Sequence, residues 1–86
     1  MITSDQVRAA RAYLKWKQSD LATRSGLSEE TIKRIEKLGG PLISVNVSTI
    51  HAIVGAFTSA GIEFINTSDR EGVVRQRKFD DSNGLW

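Results

Sequence analysis

Gln18-Ser19-Asp20-Leu21-Ala22-Thr23-Arg24-Ser25-Gly26-Leu27-Ser28-Glu29-Glu30-Thr31-Ile32-Lys33-Arg34-Ile35-Glu36 decides the fold. Its first eight residues read as a short helix with Leu21 and Ala22 as the buried pair. Gly26 stops that helix, because glycine accepts the left-handed geometry of a helix end. Leu27 turns inward, and Ser28 caps a second helix by offering its hydroxyl to a backbone N–H near Thr31. Glu29 and Glu30 fall in the first turn, where carboxylates meet the positive end of the helix dipole. Ile32 and Ile35 face the core, and Lys33, Arg34 and Lys37 project outward. Small Ala22 lets the two helices approach closely and cross steeply across a three- to four-residue turn. The outward face of the second helix is then polar and partly basic, which suits a DNA major groove.

Further elements are legible on either side. Thr3 or Ser4 caps a helix over about residues 4–15, with Asp5 in its first turn and Val7, Ala10 and Leu14 at helical spacing. Trp16 follows as a plug for the core edge. Gly39, Gly40 and Pro41 end the helix that Ser28 begins. Leu42–Val45 reads as a loop or an extended stretch. Asn46 or Ser48 caps a fourth helix, on which Val47, Ile50, Ile53, Val54 and Phe57 form an apolar stripe; Gly61 closes it. His51 lies beside the stripe as a surface or partly packed side chain. The period then shortens: 62–65 reads as a strand, 67–72 as a polar turn and 73–78 as a second strand. A lone hairpin is marginal in water, so it packs on the helices or on another chain.

Composition narrows the function classes. Eighty-six residues with no cysteine and one histidine make a single domain without a disulfide or thiolate metal site. There is no glycine-rich phosphate loop and no nucleophile–base set, so a non-enzyme without cofactor or metal is expected. No apolar run approaches the ~20 residues of a membrane span, and the charged stretch 1–20 lacks the apolar centre of a signal peptide. A cytoplasmic protein without a membrane partner is the expectation. Residues 1–40 hold eight Lys/Arg against five acids, and residues 41–86 hold four against five. The basic bias therefore sits in the N-terminal half, within an overall charge of +2.

At fixed spacing, Arg11, Gln18, Leu21, Ala22, Gly26, Leu27, Ser28, Thr31, Ile32, Ile35 and Glu36 resemble the phage-repressor type (Cro/cI, or XRE) of helix-turn-helix regulators over about residues 4–60. Residues 60–64, Ala-Gly-Ile-Glu-Phe, resemble a compact bacterial subgroup that ends in a short hairpin. The resemblance implies a mainly α fold: a lambda-repressor-like bundle of four to five helices with a C-terminal β-hairpin. The domain would span residues 1–78, with a tail at 79–86. It further implies that Gln18 contacts a phosphate or a base edge, and that Ser28, Glu29 and Glu30 sit deepest in the groove. Lys33 and Arg34 would reach bases or phosphates one turn later. Lys37, also outward, is either a further contact or a solvated charge. Arg11 and Glu36 match the family's structural salt bridge.

The sequence departs from that family at Glu29 and Glu30, which add negative charge beside phosphates. It departs also at Lys15, where glycine or asparagine is common, and at Glu36-Lys37-Leu38-Gly39, one residue longer than the usual Glu-x-Gly. The expected partner is double-stranded DNA. The alternative is a protein-binding use of the same fold, either as an antiactivator sequestering a transcription factor or as the antitoxin of a toxin. Small size also suggests a homodimer, with Ile62, Phe64, Val73, Arg75 and Arg77 as a dimer or protein surface. The blander reading of Arg75, Arg77 and Lys78 is a sheet edge protected by charge.

Overall fold

A computed structural model describes residues 1–76; the expectations for Arg77, Lys78 and the 79–86 tail lie outside the described residues. Four helices are followed by a hairpin: α1 (Ser4–Leu14), α2 (Gln18–Ser25), α3 (Glu29–Lys37), α4 (Val47–Ser59), β1 (Ile62–Asn66) and β2 (Glu71–Arg75). No helix of the described chain is long and apolar enough to cross a membrane.

Three of the four helices, α1, α3 and α4, begin at a side chain that accepts one of their orphan N–H groups. Thr3 caps α1 through a reciprocal box: Thr3 Oγ1 accepts the Gln6 N–H and Gln6 Oε1 accepts the Thr3 N–H, both at 3.1 Å. Ser4, the alternative cap, is instead the first helical residue and is fully buried. Asp20 steadies the start of α2 by accepting the Lys17 N–H at 2.8 Å. Ser28 Oγ accepts the Thr31 N–H at 3.1 Å, and Asn46 Oδ1 accepts the Ser48 N–H at 2.8 Å.

The ends are equally specific. Gly26 stops α2 at φ +76°. Gly61, at φ +87°, turns the chain from α4 into β1, and a Cβ there would sit 3.3 Å from the Gln76 carbonyl oxygen. Only glycine suits both the angle and the space. α1 ends one residue before the expected limit, at Leu14. Lys15 adopts φ +59°, the Lys15 N–H bonds Ala12 O at 3.1 Å, and the Trp16 N–H bonds Arg11 O at 2.9 Å. That is a Schellman ending with lysine in the left-handed seat.

The core forms where the helices meet the hairpin. Val7, Leu21, Ile32, Ile35, Leu42, Ile53 and Phe57 are fully buried. Phe57 stacks on Trp16, with centroids 5.5 Å apart, and meets Phe64 edge to face at 5.6 Å. One expectation is corrected here. Val47 is 66% exposed, because the first turn of α4 overhangs the core; Ala56 is buried alongside Ile53 and Phe57. The 42–45 stretch is a loop, as expected, and the N-terminal residues hold the chain that leads into it. The Ser4 N–H bonds Gly40 O at 3.0 Å and the Leu42 N–H bonds Ile2 O at 3.1 Å, so the N-terminal residues pin the chain after α3 and drive Leu42 into the core.

The strands pair antiparallel, Ile62 with Arg75 through Asn66 with Glu71. β2 starts two residues earlier than expected, leaving a tight turn closed by the Thr67 N–H on Arg70 O at 2.8 Å. Glu71 and Gly72 read as turn residues, but both are held from α1. Glu71 Oε2 accepts from Thr3 Oγ1 at 3.2 Å. Gln6 Nε2 donates to Ile65 O at 3.1 Å and to Gly72 O at 2.9 Å. Gln6 is therefore both the third residue of the α1 cap and the clip that fastens the hairpin to α1.

Candidate nucleic-acid interface

α3 is amphipathic at 100° per residue. Ile32, Ile35 and Glu36 occupy its buried side. Glu29, Glu30, Lys33, Arg34 and Lys37 fall together on the opposite, exposed arc. The acids stand at the N-terminal tip and the basic residues along the two following turns. Lys33 Nζ lies 4.0 Å from Glu29 Oε2 across one turn, an exposed pair that contributes little to stability. Among the described residues neither Arg34 nor Lys37 pairs with an acid.

A buried ion cluster fixes the direction of this face. Glu36 is 5% exposed. Arg11 Nε donates to Glu36 Oε2 at 2.6 Å and Arg11 Nη2 to Glu36 Oε1 at 2.9 Å. The remaining arm, Arg11 Nη1, donates to Trp16 O at 3.0 Å. Gln18 Nε2 adds a third bond to the carboxylate, at 3.0 Å from Oε1. One carboxylate on α3 is thus gripped by α1 through a two-pronged guanidinium and by α2 through an amide. Arg8 also donates from α1 to the Glu36 carbonyl, placing a cation at the negative end of α3.

Two of the site residues expected from the sequence also make contacts within the fold. The half-buried Gln18 side chain is part of the Glu36 cluster. Ser28 is committed as a cap: Oγ accepts from the Thr31 N–H and donates to Thr31 Oγ1 at 2.8 Å. Of the expected protein surface on the hairpin, Arg75 is the exposed member among the described residues. Ile62 is buried, and Phe64 and Val73 pack against the core, since alternate residues of a strand face the same side. Glu63 and Val74 are the exposed residues of the other face, and Arg75 is exposed at the strand end.

Several features carry no sequence signal. Arg24 lies 4.6 Å from the centroid of Trp16, so that ring is engaged by both Arg24 and Phe57. Gln6 and Arg8 act on residues far away in the chain. Leu38 and Ile43, in the connection after α3, are 46% and 76% exposed. His51 is exposed and borders a shallow groove with Arg24, Gly55 and Ser59. The chain matches no protein-family model, and no curated protein is significantly similar to it.

Proposed function

We propose that this chain is a small, sequence-specific DNA-binding regulator of transcription, a non-enzymatic cytoplasmic protein in which α2 and α3 form a helix-turn-helix of the Cro/cI type. The observation that carries this reading is the exposed arc of α3, Glu29, Glu30, Lys33, Arg34 and Lys37, on a helix oriented by the Arg11–Glu36–Gln18 cluster. The tip of α3 would enter the major groove, where a glutamate accepts a hydrogen bond from cytosine N4. Lys33, Arg34 and Lys37 would meet the flanking phosphates and position the helix. The acids at the tip lower nonspecific affinity, so discrimination between sequences would be sharp relative to total binding.

A second reading, binding of a protein through the same region, draws on one specific observation. Leu38, Ile43 and Val47 are exposed aliphatics in the connection after α3 and at the start of α4. Aliphatic side chains suit a protein partner better than a phosphate backbone.

Fluorescence anisotropy of the full chain against its own upstream DNA and a scrambled duplex, at two salt concentrations, tests the choice. Salt-sensitive binding that favours the upstream fragment supports the DNA reading. No binding to either duplex at low salt transfers the weight to the protein-binding reading, and a variant with Ile43→Ser and Leu38→Ser should then lose its partner.

A further inference from the structure

We infer that the groove between α2 and α4 is a binding site for a small organic acid, whose carboxylate pairs with Arg24 and whose apolar body lies on Ala52, Gly55 and Ala56. The inference does not rest on what α3 binds.

Arg24 is the starting point. It stands in the last turn of α2, on one wall of the groove, and is exposed. Among the described residues it pairs with no acid. Asp20, one turn earlier on α2, is occupied by the Lys17 N–H at 2.8 Å. The opposite wall is α4, which carries no Asp or Glu anywhere along Val47–Ser59. The Arg24 guanidinium instead rests over the Trp16 ring, 4.6 Å from its centroid. A guanidinium laid flat on a ring keeps N–H donors at its rim, in a fork that matches a carboxylate.

The α4 wall keeps room beside that fork. Gly55 lies inside α4, where glycine costs helix stability relative to alanine. Its φ is not left-handed, so no turn requires it. A Cβ there would meet nothing within 4 Å, so no other segment of the described chain requires the space either. The space belongs to a groove of about 430 Å³, floored by Ala52 and Ala56. That volume is in the range of small-molecule sites, ~300–1,000 Å³. His51 and Ser59, one turn to either side of Gly55, put an imidazole and a hydroxyl on the rim. Because the groove is shallow and open, the affinity expected is modest.

The same surroundings select a carboxylate over a phosphate. Phosphates are held by clusters of free backbone N–H groups at helix starts and loops. The residues that line this groove lie within helices, where those groups are already bonded to carbonyls. One guanidinium without such a cluster suits a single negative charge attached to an apolar body.

Benzoate, a flat monoanion, is the probe. It is titrated to millimolar concentration into the full chain and followed by backbone amide resonances, with benzamide and inorganic phosphate as comparisons. Benzoate should shift Ala52, Gly55 and Ala56 saturably. Benzamide and phosphate should each bind about tenfold more weakly or less, the loss expected when a charge-assisted pair or an apolar body is missing. Arg24→Gln should weaken benzoate by a similar factor. Gly55→Leu leaves Arg24 in place but fills the groove, and should abolish the shifts. It should not lower Tm, since leucine is the better helix former and its Cβ meets open space. Benzamide or phosphate binding as tightly as benzoate, benzoate shifts undiminished in Gly55→Leu or Arg24→Gln, or no saturable shift at the groove in the wild-type chain would each overturn the assignment.

Discussion

Glu36 on α3 and Arg11 on α1 form a two-pronged ion pair, with contacts of 2.6 and 2.9 Å, in a site where Glu36 is almost wholly buried. A buried carboxylate is tolerated only while its oxygens are occupied by donors. Here three donors from two helices occupy them. The pair is therefore best understood as a device for orienting α3, with its net stabilisation a secondary matter.

Arg11→Ala should cost about 3–5 kcal/mol, because it strands the Glu36 charge with one amide donor. Gln18→Ala removes a single bond to the same carboxylate and should cost about 1–2 kcal/mol. Thermal unfolding separates the two, since each kcal/mol lowers Tm by about 4–8 °C in a domain of this size. Replacing both charges, Arg11→Met with Glu36→Leu, should be milder than Arg11→Ala alone. Equal losses for Arg11→Ala and Gln18→Ala would show that the cluster is not the anchor.

Gln6→Ala should cost about 2 kcal/mol, from half of a capping box and two bonds to strand carbonyls. The loss should be local as well as global. Amide exchange at Glu63 and Val74, in the hairpin ladder, should accelerate more than exchange in α3. Gln6→Glu should be worse than Gln6→Ala, since it sets a carboxylate against the carbonyls of Ile65 and Gly72. Uniform acceleration across all elements would mean that Gln6 supports the fold without clipping the hairpin.

Sequence and structure agree most closely at the end of α2 and the start of α3, which are legible to the residue because Gly26 and Ser28 act on their own neighbours. Helices read well wherever cap, period and stop all lie within one element. The start of β2 escapes such a reading because Glu71 and Gly72 are turn-like residues held in the ladder by Thr3 and Gln6, more than sixty residues away. Leu42 and Ile2 join the core from segments with no periodicity at all. The same limit applies to the candidate interface. The outward arc of α3 follows from helical spacing, but the engagement of Gln18 by Glu36 emerges only when three helices are brought together.

Lys15→Gly should stabilise the fold by about 0.5–1 kcal/mol. Lysine at φ +59° bears the steric cost of the left-handed region, about 1–2 kcal/mol, and glycine avoids it at some expense in unfolded-state entropy. Lys15→Ala keeps the Cβ and should gain nothing. Urea unfolding of the two variants distinguishes relief of backbone strain from loss of a surface charge: matched gains would point to charge.

Lys33→Ala and Arg34→Ala should each weaken DNA binding, and each loss of a phosphate contact should lower the salt slope by about one. Glu30→Gln should behave differently. It removes a negative charge from the tip of α3 without removing a phosphate contact, so affinity for all duplexes should rise while preference for the true site falls. Both Lys33 and Glu30 are exposed, so neither change should move Tm by more than a few degrees. Anisotropy titrations at several salt concentrations resolve the two behaviours. If Glu30→Gln raised affinity for every duplex equally and left preference untouched, the tip of α3 would not be reading bases, and specificity would have to come from the shape or deformability of the duplex.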